Sequence, residues 1–126
     1  LRVRLSHMEE LTQEKIEIAS RYTKGIHNPR IKLPQIPEGS TCVYHQYVIR
    51  CEERDRLIEY LNEKEIGTII HYPIPPHLAE AYRYLGHQEG DFPITEHLAK
   101  TVLSIPMYNG MTEDEQNMVI DALNRF

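Results

Sequence analysis

From residue 67 to residue 77 the chain reads Gly67-Thr68-Ile69-Ile70-His71-Tyr72-Pro73-Ile74-Pro75-Pro76-His77. The short β-branched run predicts a strand, which ends at a His-Tyr pair, and three prolines stiffen the turn that follows. Because proline fixes φ and has no backbone donor, this turn holds His71, Tyr72 and His77 in a rigid arrangement. Rigid turns after strands commonly carry binding groups, so the stretch predicts a candidate binding site beside a strand.

Working outward from this stretch, hydrophobic periodicity predicts two more strands, over residues 41–51 and 103–105. Helices are predicted over residues 5–26, 54–64, 76–85 and 93–102, with Gly86 as the stop of the third. A Thr112–Glu115 capping box begins a last helix that runs to Phe126 and buries Met118, Val119, Ala122 and Leu123. The pattern predicts an α/β fold: a small, helix-backed sheet of two to three short strands, with a long N-terminal linker helix.

The domain organisation follows from the same pattern. Residues 1–27 are predicted to form a long connecting helix, residues 30–40 a proline-rich connector, and residues 41–126 a compact α/β unit. The chain begins at Leu1 with a helical pattern and no N-cap, which indicates a cut within a longer chain. We therefore expect the first helix to link this unit to another domain.

Composition narrows the function classes. The 126 residues suffice for one domain with a core, and a net charge of -5 argues against nucleic-acid binding. Neither a signal peptide nor an apolar run of about 20 residues is present in this sequence, so no membrane partner is predicted. Cys42 and Cys51 fall in one predicted strand, too far apart for a disulfide, and free thiols are typical of the cytoplasm.

Few residues offer chemistry. On spacing alone, His71, Tyr72 and His77 either recognise a polar ligand or only cap the turn. A metal site is weak, because the His-x5-His spacing lacks a third ligand. His45, inside the predicted strand, is more often a core residue than a catalyst. No nucleophile elbow or phosphate loop is visible, and the lysines all fall on predicted surfaces, so no catalytic residue is expected.

Several stretches together resemble the C-terminal domain of the DegT/DnrJ/StrS family of pyridoxal-phosphate-dependent sugar-nucleotide aminotransferases. They cover essentially the whole chain in the family's order, which makes the combination specific. They are Ile18-Ala19-Ser20-Arg21-Tyr22, Val43-Tyr44-His45-Gln46-Tyr47-Val48-Ile49-Arg50, Gly67 to His77 as quoted above, Gly90-Asp91-Phe92-Pro93 and Leu103-Ser104-Ile105-Pro106-Met107-Tyr108.

The resemblance implies the small domain of a two-domain, fold-type I enzyme. In that family a large domain carries pyridoxal phosphate on a lysine, and the amino group passes from glutamate to a nucleotide-linked keto-sugar. The full histidine-tyrosine-proline run is most like members that aminate C3 of a dTDP-3-keto-6-deoxyhexose for cell-surface polysaccharides. The resemblance makes His71, Tyr72, His77 and, more weakly, His45 substrate contacts. It places the cofactor lysine in a large domain upstream, and it implies a homodimer and a chain that is inactive alone.

Two departures from the family pattern stand out. Relatives often have glycine where this chain has Glu65, so the turn there is expected to differ locally. Relatives often have paired arginines where this chain has Glu14-Lys15, and any contact of those arginines is in doubt. Two alternatives remain: a free-standing binding or regulatory module derived from such an enzyme, and, remotely, an unrelated metal-binding protein using its seven histidines.

Overall fold

The computed structural model describes residues 2–126 and contains five α-helices and a two-stranded sheet within that range. The predicted helical position of Leu1 lies outside the described residues. In chain order the elements are α1 (Arg2–Leu5), α2 (Met8–Gly25), β1 (Tyr47–Arg50), α3 (Arg54–Asn62), two 3₁₀ segments (Pro76–Leu78 and Glu80–Leu85), α4 (Pro93–Thr101), β2 (Val102–Ile105) and α5 (Glu113–Arg125).

The sheet has two strands, within the two to three that the sequence pattern predicts. Strands β1 and β2 pair antiparallel, with Tyr47 opposite Ile105 and Arg50 opposite Val102. Single bridges extend its two sides, one between Lys32 and Arg50 and the other between Ile69 and Ser104. The predicted helix-backed sheet is confirmed, and the strand predicted over residues 103–105 corresponds to β2. The chain is a mixed α and β fold.

Two strand predictions were wrong in extent. The predicted strand over residues 41–51 is regular only from Tyr47, because Tyr44 adopts φ +46°, which breaks the extended run. The predicted strand over 68–70 is a single bridge, in which Ile69 and Ser104 exchange two backbone hydrogen bonds.

The helix predictions also need correction at their ends. The predicted helix over 5–26 is interrupted at Ser6 and His7, which separate α1 from α2. The predicted helix over 76–85 is two 3₁₀ segments, because Ala79 between them is extended, with ψ 141°. Gly86 ends the second at φ +77°, as predicted.

The core gathers one face of α2, α3 and α5 around the two strands. Its largest fully buried side chains are Tyr22, Tyr47, Ile49, Leu57, Leu61, Leu103 and Leu123. The rings of Tyr22 and Tyr47 meet edge to face at 5.2 Å, and the Tyr22 hydroxyl donates to the Pro106 carbonyl at 2.8 Å. This contact fixes the chain directly after β2, where the candidate site lies.

The capping box of α5 is present as predicted. The Thr112 hydroxyl accepts from the Glu115 N–H, and the Glu115 carboxylate accepts from the Thr112 N–H. The predicted burial of Met118 was wrong, since that side chain is 56% exposed. Val119, Ala122 and Leu123 form the inward stripe as predicted, and Met118 lies about 100° around the helix from Val119.

Side-chain hydrogen bonds join the two longest helices, α2 and α5, at their C-terminal ends. Asn124 of α5 donates to the Gly25 carbonyl and accepts from the His27 N–H, both at 2.8 Å. Asn28 in turn donates to the Leu123 carbonyl at 2.8 Å. Because each asparagine satisfies groups at the end of the other helix, the C-terminal ends of α2 and α5 cap each other.

The turn after α3 is a Schellman motif with a glutamate in its left-handed position. The Ile66 N–H bonds the Leu61 carbonyl at 2.9 Å and the Glu65 N–H bonds the Asn62 carbonyl at 3.0 Å. Glu65 adopts φ +60°, the conformation that glycine would adopt at this position. The expected local difference from relatives stays a prediction.

Candidate functional site

His71 stands where the chain leaves the sheet. Its Nδ1 lies 2.9 Å from the Oγ of Ser104, a buried residue of β2. The neighbouring bridge between Ile69 and Ser104 brings these two segments of the chain together. A hydroxyl and an imidazole each donate or accept, so this contact fixes the ring while its other nitrogen keeps hydrogen-bonding capacity.

A cavity of about 180 Å³ opens beside this contact. Its lining includes His71 and Ser104 on one side, and His45 with Met107 from the segments before β1 and after β2. Gly67 and Ile69 also line the cavity. Positions two apart on an extended chain lie on the same face, and Gly67 and Ile69 therefore lie on the face that carries His71. The structure therefore brings His45 and His71 to one cavity, although they are far apart in sequence.

His45 also borders a second, larger depression of about 630 Å³ against the first helices. Met8, Leu11 and Val43 make it partly apolar, and Lys15 lies on its wall. The Lys15 ammonium donates to the His45 carbonyl at 3.3 Å. His45 therefore stands between the cavity that it shares with His71 and a depression that carries a cation, and it is exposed rather than a core residue.

Tyr72 projects outward from the turn. It is 74% exposed, and its ring meets the His71 ring nearly at right angles, with centroids 5.5 Å apart. Together with Ile74 and Leu98 it lines a third depression, between the turn and α4. Its hydroxyl is available to a ligand that reaches the His71 side of the molecule.

His77 points elsewhere. Its Nε2 lies 3.0 Å from Oε1 of Glu96, and both side chains are less than 10% exposed. The ring also packs on Phe92, with centroids 4.7 Å apart. The structure thus separates His77 from the cavity that His45 and His71 share.

Glu96 is a buried carboxylate with several donors. Burial acts to raise its pKa, but hydrogen bonds from the Gly90 and Phe92 N–H groups and from His77 outweigh burial and lower the pKa below its usual value. The carboxylate is therefore ionised and fully engaged, which makes it an anchor rather than a proton donor at neutral pH.

With this geometry in view, the relatives are informative. The family model for the DegT/DnrJ/EryC1/StrS aminotransferases matches residues 1–124. The chain belongs to this family. It is 39% identical over 126 residues to the dTDP-3-amino-3,6-dideoxy-alpha-D-galactopyranose transaminase of Aneurinibacillus thermoaerophilus, covering all of this chain and 34% of that protein.

Solved structures of aminotransferases share the fold. DesV of Streptomyces venezuelae, solved in complex with a ketimine intermediate, matches 98% of this chain at 34% identity with a TM-score of 0.95. The PLP-form of the putative sugar aminotransferase Spr1654 of Streptococcus pneumoniae matches 98% at 25% identity with a TM-score of 0.85. The chain spans about a third of the length of the relatives it matches.

Sequence reasoning missed two residues of this aminotransferase-family site, Ser104 and Glu96. Ser104 sat in the Leu-Ser-Ile strand signal, where period-two alternation with its apolar neighbours could have placed it on a different face. For Glu96, the sequence offered only an acid in the first turns of a helix, a common position. Nothing in the spacing linked it to His77, 19 residues earlier.

The departure at Glu14-Lys15 has a structural answer. The Glu14 carboxylate accepts from the Asn109 amide at 2.7 Å and from the Gly110 N–H at 2.6 Å. The Asn109 amide first, and then the Gly110 N–H, hold the pKa of Glu14 below its usual value. Glu14 therefore fastens the loop after β2 to α2, and Lys15 faces the depression beside His45.

The lysines of residues 2–126 lie in settings unlike that of a lysine that forms a Schiff base with pyridoxal phosphate. A Schiff-base lysine is shielded from water beside apolar or cationic neighbours. Lys24, Lys32, Lys64 and Lys100 are exposed, and the half-buried Lys15 donates to a backbone carbonyl. Within the same residues no cluster of three or more metal-ligating side chains occurs, and no helix is both long and apolar enough to cross a membrane.

Proposed function

We propose that this chain is the C-terminal small domain of a pyridoxal-phosphate-dependent sugar-nucleotide aminotransferase. In this proposal residues 1–27 form the connecting helix, residues 41–126 form the compact unit, and a large domain upstream carries the cofactor. The observation that carries the proposal is the cavity shared by His45 and His71, in a chain of this family. The unit shapes the substrate pocket and has no activity alone.

The proposed substrate is a keto-sugar linked to a nucleotide diphosphate, with glutamate as the amino donor. The name of the Aneurinibacillus relative, a dTDP-amino-dideoxygalactose transaminase, supports a dTDP-3-keto-6-deoxyhexose. The imidazoles of His45 and His71 and the phenol of Tyr72 each donate and accept, which suits sugar hydroxyls and phosphate oxygens. The sequence-based assignment of His77 as a further contact stays a prediction, although its buried position favours an indirect role.

The cofactor supplies the amino-transfer chemistry, and the family and the PLP-form of Spr1654 support its presence in the whole protein. The task of the present residues is different. His71 is oriented by Ser104, Tyr72 stands beside it, and His45 borders both the cavity and the depression that carries Lys15. These groups bind and orient the sugar and its phosphates.

Exposed apolar side chains support a missing partner domain. Val3, Leu5 and Met8 of the first helices are at least half exposed, and Val43 lies nearby on the same depression as Met8. An apolar surface here fits the prediction that the first helix links this unit to another domain. We assign this surface to the large domain, and the proposal includes a cytoplasmic homodimer, as the family resemblance implies.

Replacing His71 tests the assignment. In the full-length protein we expect His71→Ala to raise the Kd for the dTDP-linked sugar about tenfold, the effect of losing one to two hydrogen bonds. Cofactor absorbance should not change, since His71 lies in the domain without the cofactor lysine. His27→Ala is the matched control, because His27 is exposed and lies outside the cavity. Equal affinity in His71→Ala and wild type would refute the role.

The reading frame upstream of Leu1 separates this proposal from the free-standing module. A continuous frame that includes a cofactor lysine supports the enzyme. A start codon directly before these residues, together with nucleotide-sugar binding by the chain alone, favours the module. Turnover of a keto-sugar by the 126 residues with added pyridoxal phosphate would overturn the proposal of a chain that is inactive alone.

A further inference from the structure

One carboxylate connects three segments of the chain. Glu96 on α4 takes a hydrogen bond from His77 at 3.0 Å and one from the Phe92 N–H at 3.2 Å. The Gly90 N–H lies 2.9 Å from both of its oxygens. The turn that follows His71, the loop before α4 and α4 itself therefore meet at a single side chain.

The partner of this carboxylate is equally enclosed. The side chains of His77 and Glu96 are 8% and 9% exposed, and Phe92 covers the His77 ring. Charged hydrogen bonds shielded from water are strong and directional. Loss of Glu96 leaves the buried Nε2 of His77 without this partner, whereas loss of His77 leaves Glu96 with its Gly90 and Phe92 donors. The contact therefore fixes the turn at His77 relative to α4.

The prolines of the turn make the position of His71 and Tyr72 depend on that of His77. Three prolines, Pro73, Pro75 and Pro76, lie between Tyr72 and His77, and their fixed φ angles leave the turn little conformational freedom. At the other end of the turn, His71 is held by Ser104 at 2.9 Å. The turn is thus fixed at both ends, once on β2 and once on α4.

Between these two fixed points Pro75 is buried, but Tyr72 and Ile74 pack loosely. Tyr72 is 74% exposed and Ile74 is 60% exposed, and a depression of about 350 Å³ separates this part of the turn from Leu98 on α4. Apolar packing alone therefore does not fix the distance between Tyr72 and α4. The position of Tyr72 and His71 therefore depends on the anchors at the two ends.

We propose that Glu96 is a positioning residue for substrate recognition: through His77 it sets the placement of the turn that presents His71 and Tyr72. This inference rests on the proposed function for the identity of the substrate. It assigns His77 an indirect role, because its Nε2 is already used by Glu96 and its ring is enclosed. Glu96 does not touch the substrate.

Substrate binding by variants of the full-length protein tests the proposal. We expect Glu96→Gln to reduce kcat/KM for the nucleotide sugar roughly 10- to 100-fold through KM, the penalty for a misplaced binding group, with cofactor absorbance unchanged. Glu59→Gln, the same change on the exposed side of α3, is the control and should match wild type. A normal KM in Glu96→Gln with only a lowered Tm would overturn the proposal.

A double-mutant cycle separates positioning through His77 from a general loss of stability. His77→Ala and Glu96→Ala break the same contact, so the double variant should lose little more affinity than the worse single variant. Additive losses in log Kd would show that the two residues act independently, and would overturn the proposal.

Hydrogen exchange gives a result that does not depend on the substrate. In Glu96→Gln we expect the Leu78 and Ala79 amides, which donate to the Pro75 and Pro76 carbonyls, to exchange faster than in wild type or Glu59→Gln, while α5 is unchanged. Unchanged exchange at these two amides would overturn the anchor. If wild type fails to bind any nucleotide sugar but the exchange result holds, the proposed function fails and the anchoring of the turn stands.

Discussion

The glutamate that follows α3 has a backbone conformation that favours glycine, and replacing it should therefore change the free energy of unfolding. Glu65 adopts φ +60° in a Schellman motif, and its side chain is exposed. A left-handed conformation costs an L-residue about 1–2 kcal/mol, and glycine avoids this cost. Glycine gives back about 0.4–1 kcal/mol through the greater freedom of the unfolded chain. We therefore expect Glu65→Gly to stabilise the fold by about 0.5–1 kcal/mol.

Thermal unfolding measures this change. For a chain of this size the gain corresponds to a rise in Tm of roughly 2–4 °C. Glu63→Gly is the matched control, because Glu63 lies two residues earlier with an ordinary helical φ of -61°. Glycine there should lower stability by about 0.5–1 kcal/mol. Opposite signs at the two positions are the expected result, and a fall in Tm for Glu65→Gly would refute the reasoning.

Two further predictions concern the C-terminal helix and the core. The backbone N–H of its N-cap threonine, then the hydroxyl of that residue, lower the pKa of Glu115. Its carboxylate thus stabilises the fold fully above the usual glutamate pKa of about 4.3, and this contribution is lost as the pH falls from there through the lower pKa of the folded state. Glu115→Gln should flatten the acid limb of a Tm-against-pH curve, and a curve as steep as that of Glu59→Gln would contradict this. Tyr22→Phe leaves the Pro106 carbonyl without its donor and should cost about 1–3 kcal/mol in urea unfolding. Exposed Tyr84→Phe should cost nothing, and equal values for the two would count against the buried hydrogen bond.

Local signals in the sequence were enough for several elements. The capping box at Thr112 and the stop at Gly86 depend on contacts within a few residues, and both are present. The inward stripe of α5 follows from helical spacing. Met118 was misplaced because periodicity leaves a boundary residue free to fall on either side of the stripe.

The strand prediction failed over residues 41–46 at one backbone conformation. These residues have strand-forming composition, but Tyr44 adopts a positive φ, and its ring stacks on Tyr47 with centroids 6.0 Å apart. A positive φ is uncommon for tyrosine, so β-propensity gives no indication of it.

The candidate site was predicted in its residues but not in its arrangement. The sequence placed His71, Tyr72 and His77 on one rigid turn, and that turn exists. It could not show that the second histidine turns toward Glu96, nor that His45 comes from another segment to meet His71. Both facts depend on how distant segments cross, which spacing along one segment does not encode.

The mutual capping of α2 and α5 has a consequence for synthesis in the cell. The bonded groups are 95 to 99 residues apart, so the ribosome finishes α2 long before it makes the asparagine that closes it. At 5–20 residues per second this delay is roughly 5–20 s. During that time the apolar face of α2 emerges without its final neighbour, so part of the core stays exposed until translation has passed Asn124.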